Sequence, residues 1–271
     1  MQFRTEITIP RPPFEIEPQD RHFFVGSCFA ENIGRRFVQN KLQATVNPYG
    51  TMYNPASVLH TIERAITDGT IPEQGVDVAV ITLGTNHVYI LKETGEIVDN
   101  CQKRPQRMFR EEELSVEQCS DYLRKATSLL REKNPMTKVV LTVSPIRYAK
   151  YGYHLSQLSK ATLLLAADVV CRMEDNTEYF PAYEIMNDEL RDYRFYSPDM
   201  LHPSDQAVDY IYERFSETFF SSQTHQMQEE WRPICAALSH RPFNPDSPEY
   251  RSFLAKAQAD AVAFEKKWGF R

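Results

Sequence analysis

Val76 to Leu83, Val-Asp-Val-Ala-Val-Ile-Thr-Leu, is a nearly unbroken apolar and β-branched run that stops at Gly84-Thr85-Asn86-His87. A strand with no polar face has no side to give to water, so both of its faces must be covered. A parallel sheet with helices on either side meets that demand. Phe23 to Val25 and Lys138 to Val143 predict further strands, and Leu42 to Val46 a shorter one. Tyr179 to Tyr183 predicts the last. Helical spacing of apolar residues recurs between them, as at Phe29, Ile33 and Phe37. Strands alternating with helices predict an α/β parallel sheet. In such sheets ligands gather at the carboxyl ends of the strands.

Around this frame the chain carries local start and stop signals. Asn54-Pro55 reads as an N-cap followed by proline at the first helical position, and Asp68-Gly69 as the close of that helix. Ser115-Val116-Glu117-Gln118 is a capping box opening a helix to about Lys133. A helix is predicted near 155–173, and another begins near Ser204, with Val208, Ile211, Phe215 and Phe219 on one face. Val88 to Leu91 and Glu96 to Val98 predict a hairpin around Thr94-Gly95. Residues 99–113 read as a polar loop holding Lys103, Arg104, Arg107 and Arg110. Phe3, Thr5, Ile7 and Ile9 alternate and hint at an entry strand, which Pro10, Pro12 and Pro13 would stop. Residues 222–271 read as further helices broken between Arg241 and Pro248. The expected organisation is one α/β domain over 1–221, with a helical extension over 222–271 packed on it.

Composition excludes several classes. The net charge is −6 and no long basic run occurs, which argues against nucleic acid as a partner. No run of 18 apolar residues exists, so no membrane span is expected, and Met1 to Glu6 show no apolar h-region, so no signal peptide is expected. The five cysteines, at 28, 101, 119, 171 and 235, have neither CxxC nor Cys/His metal spacing. Reduced thiols in a bacterial-type cytoplasm are the expectation, with no metal. The chain lacks GxGxxG and a Walker A lysine, so no phosphate cradle is visible.

The stretch with chemical promise is Phe23-Phe24-Val25-Gly26-Ser27-Cys28-Phe29-Ala30. Gly26 lets the chain bend where strand becomes helix. Ser27 and Cys28 then stand at a helix N-terminus, where free N–H groups and the helix dipole favour a developing anion. Ser27 by itself reads as a helix cap, and Cys28 by itself as a buried thiol. Gly50, Gly84-Thr85-Asn86 and Ser144 to Arg147 each follow a predicted strand, and Asp199 and His202 precede the last helix of the sheet. Arg147 and Tyr148, just past a strand end, are candidates for substrate contact.

These blocks resemble those of the SGNH, or GDSL-like, hydrolase superfamily, and more closely its GSCFA branch, whose motif stands here as Gly26-Ser27-Cys28-Phe29-Ala30. The resemblance covers roughly residues 20–220. It implies a flavodoxin-like sheet in strand order 2-1-3-4-5 with flanking helices. It implies hydrolysis of an acyl ester through a covalent acyl-enzyme, without metal or cofactor, on a small molecule or a carbohydrate O-acyl ester. Asp199-Met200-Leu201-His202 matches the family's DxxH block: His202 as general base, Asp199 as the group that orients it. Gly50 and Asn86 match the glycine and asparagine that supply oxyanion donors. His87 stands where an acidic residue is usual. The superfamily's Gly-Asp-Ser becomes Gly26-Ser27-Cys28, so register places Cys28 on the nucleophile, with a pKa that a helix N-terminus and a histidine would lower. A shift of one residue makes Ser27 the nucleophile instead. Transfer from a thioester donor, and a non-catalytic ligand-binding role on the same fold, are the alternatives.

Overall fold

The first strand forms because Phe23, Phe24 and Val25 are bulky residues that can pack on both sides of a sheet, and it ends where Gly26 takes φ +137°. A Cβ there would lie 2.0 Å from the carbonyl oxygen of Thr82 on the neighbouring strand. The turn is therefore open to glycine alone. The structure is a computed structural model and describes residues 4–99, 101 and 104–270. Of the sequence expectations, those at Phe3 and Lys103 lie outside the described residues.

In chain order the elements begin with β1 (Arg21–Gly26), α1 (Cys28–Gln39), β2 (Gln43–Val46), α2 (Pro55–Thr67) and β3 (Val78–Leu83). Next come β4 (His87–Leu91), β5 (Ile97–Val98), β6 (Phe109–Glu113), α3 (Val116–Lys133) and β7 (Lys138–Val143). They continue with α4 (Tyr153–Met173), β8 (Thr177–Tyr179) and the short α5 (Ala182–Glu184), which runs on as a π-helical turn over Ile185–Leu190. The chain closes with α6 (Asp205–Phe219), α7 (Ser222–Ser239) and α8 (Pro248–Trp268).

β2, β1, β3, β7 and β8 lie side by side, all parallel. Counted among themselves they follow the order 2-1-3-4-5, as the resemblance implies. Alternate residues of each strand feed opposite faces. Phe23, Val25, Ala79, Ile81, Leu83, Val139, Leu141 and Val143 meet α2, α3 and α4. Phe24, Val78, Val80 and Val140 meet α1, α5, α6 and the last two helices. The local signals hold: Asn54 accepts from Ser57 N at 2.9 Å, and both bonds of the Ser115–Gln118 capping box form.

Several expectations are corrected. Residues 109–113 are not loop but β6, antiparallel to β4, so the hairpin is the core of a second, three-stranded sheet in order β5-β4-β6. Phe-Arg-Glu-Glu-Glu reads as loop because only Phe109 is buried, and a ribbon facing water needs little apolar signal. The entry strand does not form over the described residues 4–10; Ile7 instead donates its N–H to Glu189, and Ile7 and Ile9 pack on the core. The last strand is shorter and earlier than predicted, because Pro181 leads into α5. α7 and α8 pack on the α1 side: Trp231 is 4% exposed, donates to the Gln39 carbonyl at 2.8 Å and lies against Phe264. Lys41 and Glu265 pair at 2.6 Å across the same seam.

Candidate active site

Chain direction brings the site together, because every parallel strand delivers its carboxyl end to one rim. Ser27 and Cys28 follow β1, Gly84 follows β3, and Ser144, Ile146, Arg147 and Tyr148 follow β7. These residues, with Tyr53, Lys150, Lys160, Leu201 and His202, line one cavity of about 290 Å³.

Ser27 is the N-cap of α1. Its hydroxyl accepts from Phe29 N at 3.2 Å and lies 3.0 Å from Thr82 Oγ1; its N–H donates to Thr82. The residue is 1% exposed and its oxygen is occupied by structure. Cys28, the first residue of α1, is half-buried and carries no such bonds among the described residues. All five cysteines are free.

The expectation that the Cys28 pKa is lowered is corrected. Burial pushes the thiol up, and this outweighs the pull of the Cys28 and Phe29 N–H groups and of the positive charge on Lys160. No hydrogen bond joins the thiol to His202 among the described residues.

Asp199 and His202 do meet. His202 Nδ1 lies 2.6 Å from Asp199 Oδ2. The other carboxylate oxygen accepts from Leu201 N at 2.9 Å and His202 N at 3.0 Å. Met200 takes φ +59°, which folds the turn so that the carboxylate sits beneath these N–H groups. The backbone N–H groups of His202 and Leu201, and then the ring, hold Asp199 down to about 2. A carboxylate accepting at Nδ1 makes that nitrogen the donor and leaves Nε2 with its lone pair. The turn is tied to the rim by Arg147 N, which donates to the Leu201 carbonyl at 2.9 Å.

Arg147 and Tyr148 both reach the cavity. The Arg147 guanidinium lies 4.1 Å from the Tyr153 ring centroid, with Tyr196 and Tyr193 also near, and donates to the Met200 carbonyl. Among the described residues it has no carboxylate partner. Burial raises the Tyr148 phenol.

The two oxyanion donors are not brought to the site. Gly50 N donates to the Asn47 carbonyl at 2.9 Å, closing a turn, and Gly50 does not line the cavity. Asn86 is buried, its amide nitrogen donating to the Leu114 carbonyl at 2.8 Å, and it too lies outside the cavity wall. Both donors serve the loops that frame the rim. His87 stacks on Tyr151 at 4.0 Å, with its Nδ1 3.6 Å from Glu111; burial lowers its pKa.

The sequence reading passed over Lys160 altogether, although it sits on the apolar stripe of α4 with Ser156, Leu163 and Ala167. A lysine on a buried face is the signal that would have found it. Ser144 is fully buried, and its hydroxyl has no partner among the described residues.

The GSCFA family profile matches residues 21–76 and 73–215, which together span most of the chain and hold every residue that lines the cavity. The chain belongs to the GSCFA family. The profile of the GSCFA C-terminal domain matches residues 231–270, the end of α7 together with α8. No curated protein matches the chain. Among solved structures, the chain is similar to a family 3 carbohydrate esterase from Clostridium thermocellum, at 12% identity and TM-score 0.44, over 82% of this chain and all of that one (100%). It is also similar to an acetylxylan esterase from Geobacillus stearothermophilus, at 13% identity and TM-score 0.45, over 77% of this chain and 98% of that one.

Proposed function

We propose that this GSCFA protein is a hydrolase of acyl esters in which Cys28 is the nucleophile, His202 the general base and Asp199 the group that orients it. The observation that carries the reading is the meeting in one cavity of a thiol from the start of the sheet and an Asp-held imidazole from its end. His202 Nε2 takes the thiol proton as the sulfur attacks the ester carbonyl. The carbon–oxygen bond of the ester breaks, and the imidazolium returns its proton to the leaving alcohol. Water, deprotonated by the same nitrogen, then attacks the thioester, releasing the carboxylic acid and restoring the thiol. With Gly50 and Asn86 committed elsewhere, this reading gives the oxyanion to the Cys28 N–H at the head of α1. A cavity of about 290 Å³ suits a small acyl group. Arg147 and Tyr148 are the residues for contact with the alcohol part, such as a sugar.

The raised thiol, together with the absence of a Cys28–His202 hydrogen bond among the described residues, favours a second reading: a ligand-binding protein that keeps the fold without the reaction. Turnover of a small activated ester such as p-nitrophenyl acetate separates them. Hydrolysis that is lost in Cys28→Ala and His202→Ala, with an acyl adduct mapped to Cys28 in the wild type, supports the enzyme. No turnover and no labelling at position 28 leaves the binding protein.

A further inference from the structure

Lys160 is 2% exposed, and its Nζ donates to the carbonyls of Gly84 at 2.7 Å and Ser144 at 2.8 Å. These carbonyls stand just past the ends of the neighbouring strands β3 and β7. A tetrahedral nitrogen bonded to Cε and holding two carbonyls keeps one further position. Lys160 lines the cavity, and that position is left for it. A buried cation is costly unless an anion or strong dipoles answer it. The groups that face it are few. Cys28 comes from α1, Tyr53 from the segment before α2, and Arg147, Tyr148 and Lys150 from the loop after β7. The Tyr183 ring of α5 lies 5.8 Å away, and His202 with Asp199 comes from the turn before α6. Asp199 is taken up by His202. Tyr53, Tyr148 and Tyr183 are all pushed above the ordinary phenol range by burial. Among the described residues, the thiol of Cys28 is thus the group left to supply an anion. Burial brings Lys160 down to about 7, and Cys28 pulls the other way; reciprocally, Lys160 pulls the thiol down. The two groups act on each other across the cavity.

We propose that Lys160 is the charge partner of Cys28: its ammonium, anchored on the Gly84 and Ser144 carbonyls, stabilises the thiolate formed when His202 takes the thiol proton. Lys160 acts through the charge of its ammonium form and transfers no proton; the proton from sulfur passes to Nε2. The inference rests on Cys28 being the nucleophile, but it is tested without substrate. The rate of iodoacetamide alkylation at Cys28, located by mass spectrometry, is followed against pH in the full-length wild type, Lys160→Gln and Lys160→Arg. Glutamine keeps two N–H donors for the carbonyls and removes the charge; arginine keeps the charge. The midpoint in Lys160→Gln is expected to rise by one unit or more, about tenfold slower alkylation at neutral pH, and Lys160→Arg to stay near wild type. An unchanged midpoint in a folded Lys160→Gln makes Lys160 a structural tie between two strand ends and overturns the proposal. Should Lys160→Gln not fold, NMR titration of ¹³Cε-labelled lysine in wild type and Cys28→Ala decides. Removal of the Cys28 sulfur, which raises Lys160, is expected to lower the Lys160 midpoint, and identical midpoints overturn the proposal. A shifted alkylation profile in a protein with no esterase turnover removes the hydrolase reading and leaves this pair standing.

Discussion

At the scale of single residues, Ser27 and Cys28 are neighbours with opposite employment. The Ser27 hydroxyl caps α1 and meets Thr82, while Cys28 faces the cavity. Ser27→Ala is therefore expected to cost about 1–2 kcal/mol in urea unfolding, as a lost cap does, and to keep ester turnover. Cys28→Ala is expected to keep stability and lose turnover. The reverse pattern would hand the nucleophile to Ser27. A second residue-scale prediction concerns His22, a core residue whose Nδ1 donates to the Gln43 carbonyl at 2.8 Å while its Nε2, against Phe37, is buried without a partner among the described residues. Burial holds it down from its ordinary 6.5 to about 4. Between those values the unfolded chain takes up a proton and the folded one does not, so stability falls as pH drops. The loss is roughly 3 kcal/mol by pH 4. Denaturant unfolding at pH 7 and pH 4 measures it, and in His22→Leu this part of the slope is expected to vanish.

At the scale of elements, the junction of β1 and α1 aims the thiol. Gly26 approaches Thr82 too closely for any Cβ, and its N–H donates to Asn47 Oδ1 at 3.0 Å, tying the β1 turn to the loop after β2. Gly26→Ala places a methyl against a backbone oxygen at a φ that L-residues avoid. The expected loss exceeds about 3 kcal/mol, read as failure to accumulate folded protein or as a collapsed melting temperature. These signals were legible because they are local. Asn54-Pro55 and the Ser115–Gln118 box act within four residues of themselves, whereas Gly26 was legible only as a bend, since its contacts with Thr82 and Asn47 are distant in sequence. The Asp199–His202 pair was legible through its resemblance to the DxxH block, both groups belonging to one turn. β6 was not legible, because a water-facing strand paired only to β4 leaves no apolar pattern along Arg110 to Glu113.

At the scale of the whole molecule, α7 and α8 complete the core on the α1 side of the sheet. Trp231 fills the seam between Gln39, Lys41 and Phe264, and its truncation leaves a cavity in the core. Trp231→Ala is expected to cost about 3–5 kcal/mol in urea unfolding and to leave the Cys28 cavity chemically intact. A change under 1 kcal/mol would make the last two helices an appendage rather than part of the domain. Among the described residues no helix is long and apolar enough to cross a membrane.

The sequence by itself determined the parallel sheet and its order of elements, the N-terminal position of Cys28 on its helix, and the Asp199–His202 turn. The sheet and the helix start follow from periodicity and from neighbours a few residues apart; the strand order and the Asp199–His202 pairing follow from the resemblance to the family's blocks. Only the tertiary structure decided what each polar group spends itself on. Gly50 and Asn86 carry the right residue types, yet partners brought from Asn47 and Leu114 consume their hydrogen bonds. Burial turned the expected lowering of the Cys28 pKa into a rise. Lys160 became a cation beside that thiol because two strand ends, 60 residues apart in the chain from Gly84 to Ser144, set their carbonyls around one nitrogen. Desolvation and hydrogen-bond commitment depend on every atom nearby, and a linear pattern does not record which atoms those are.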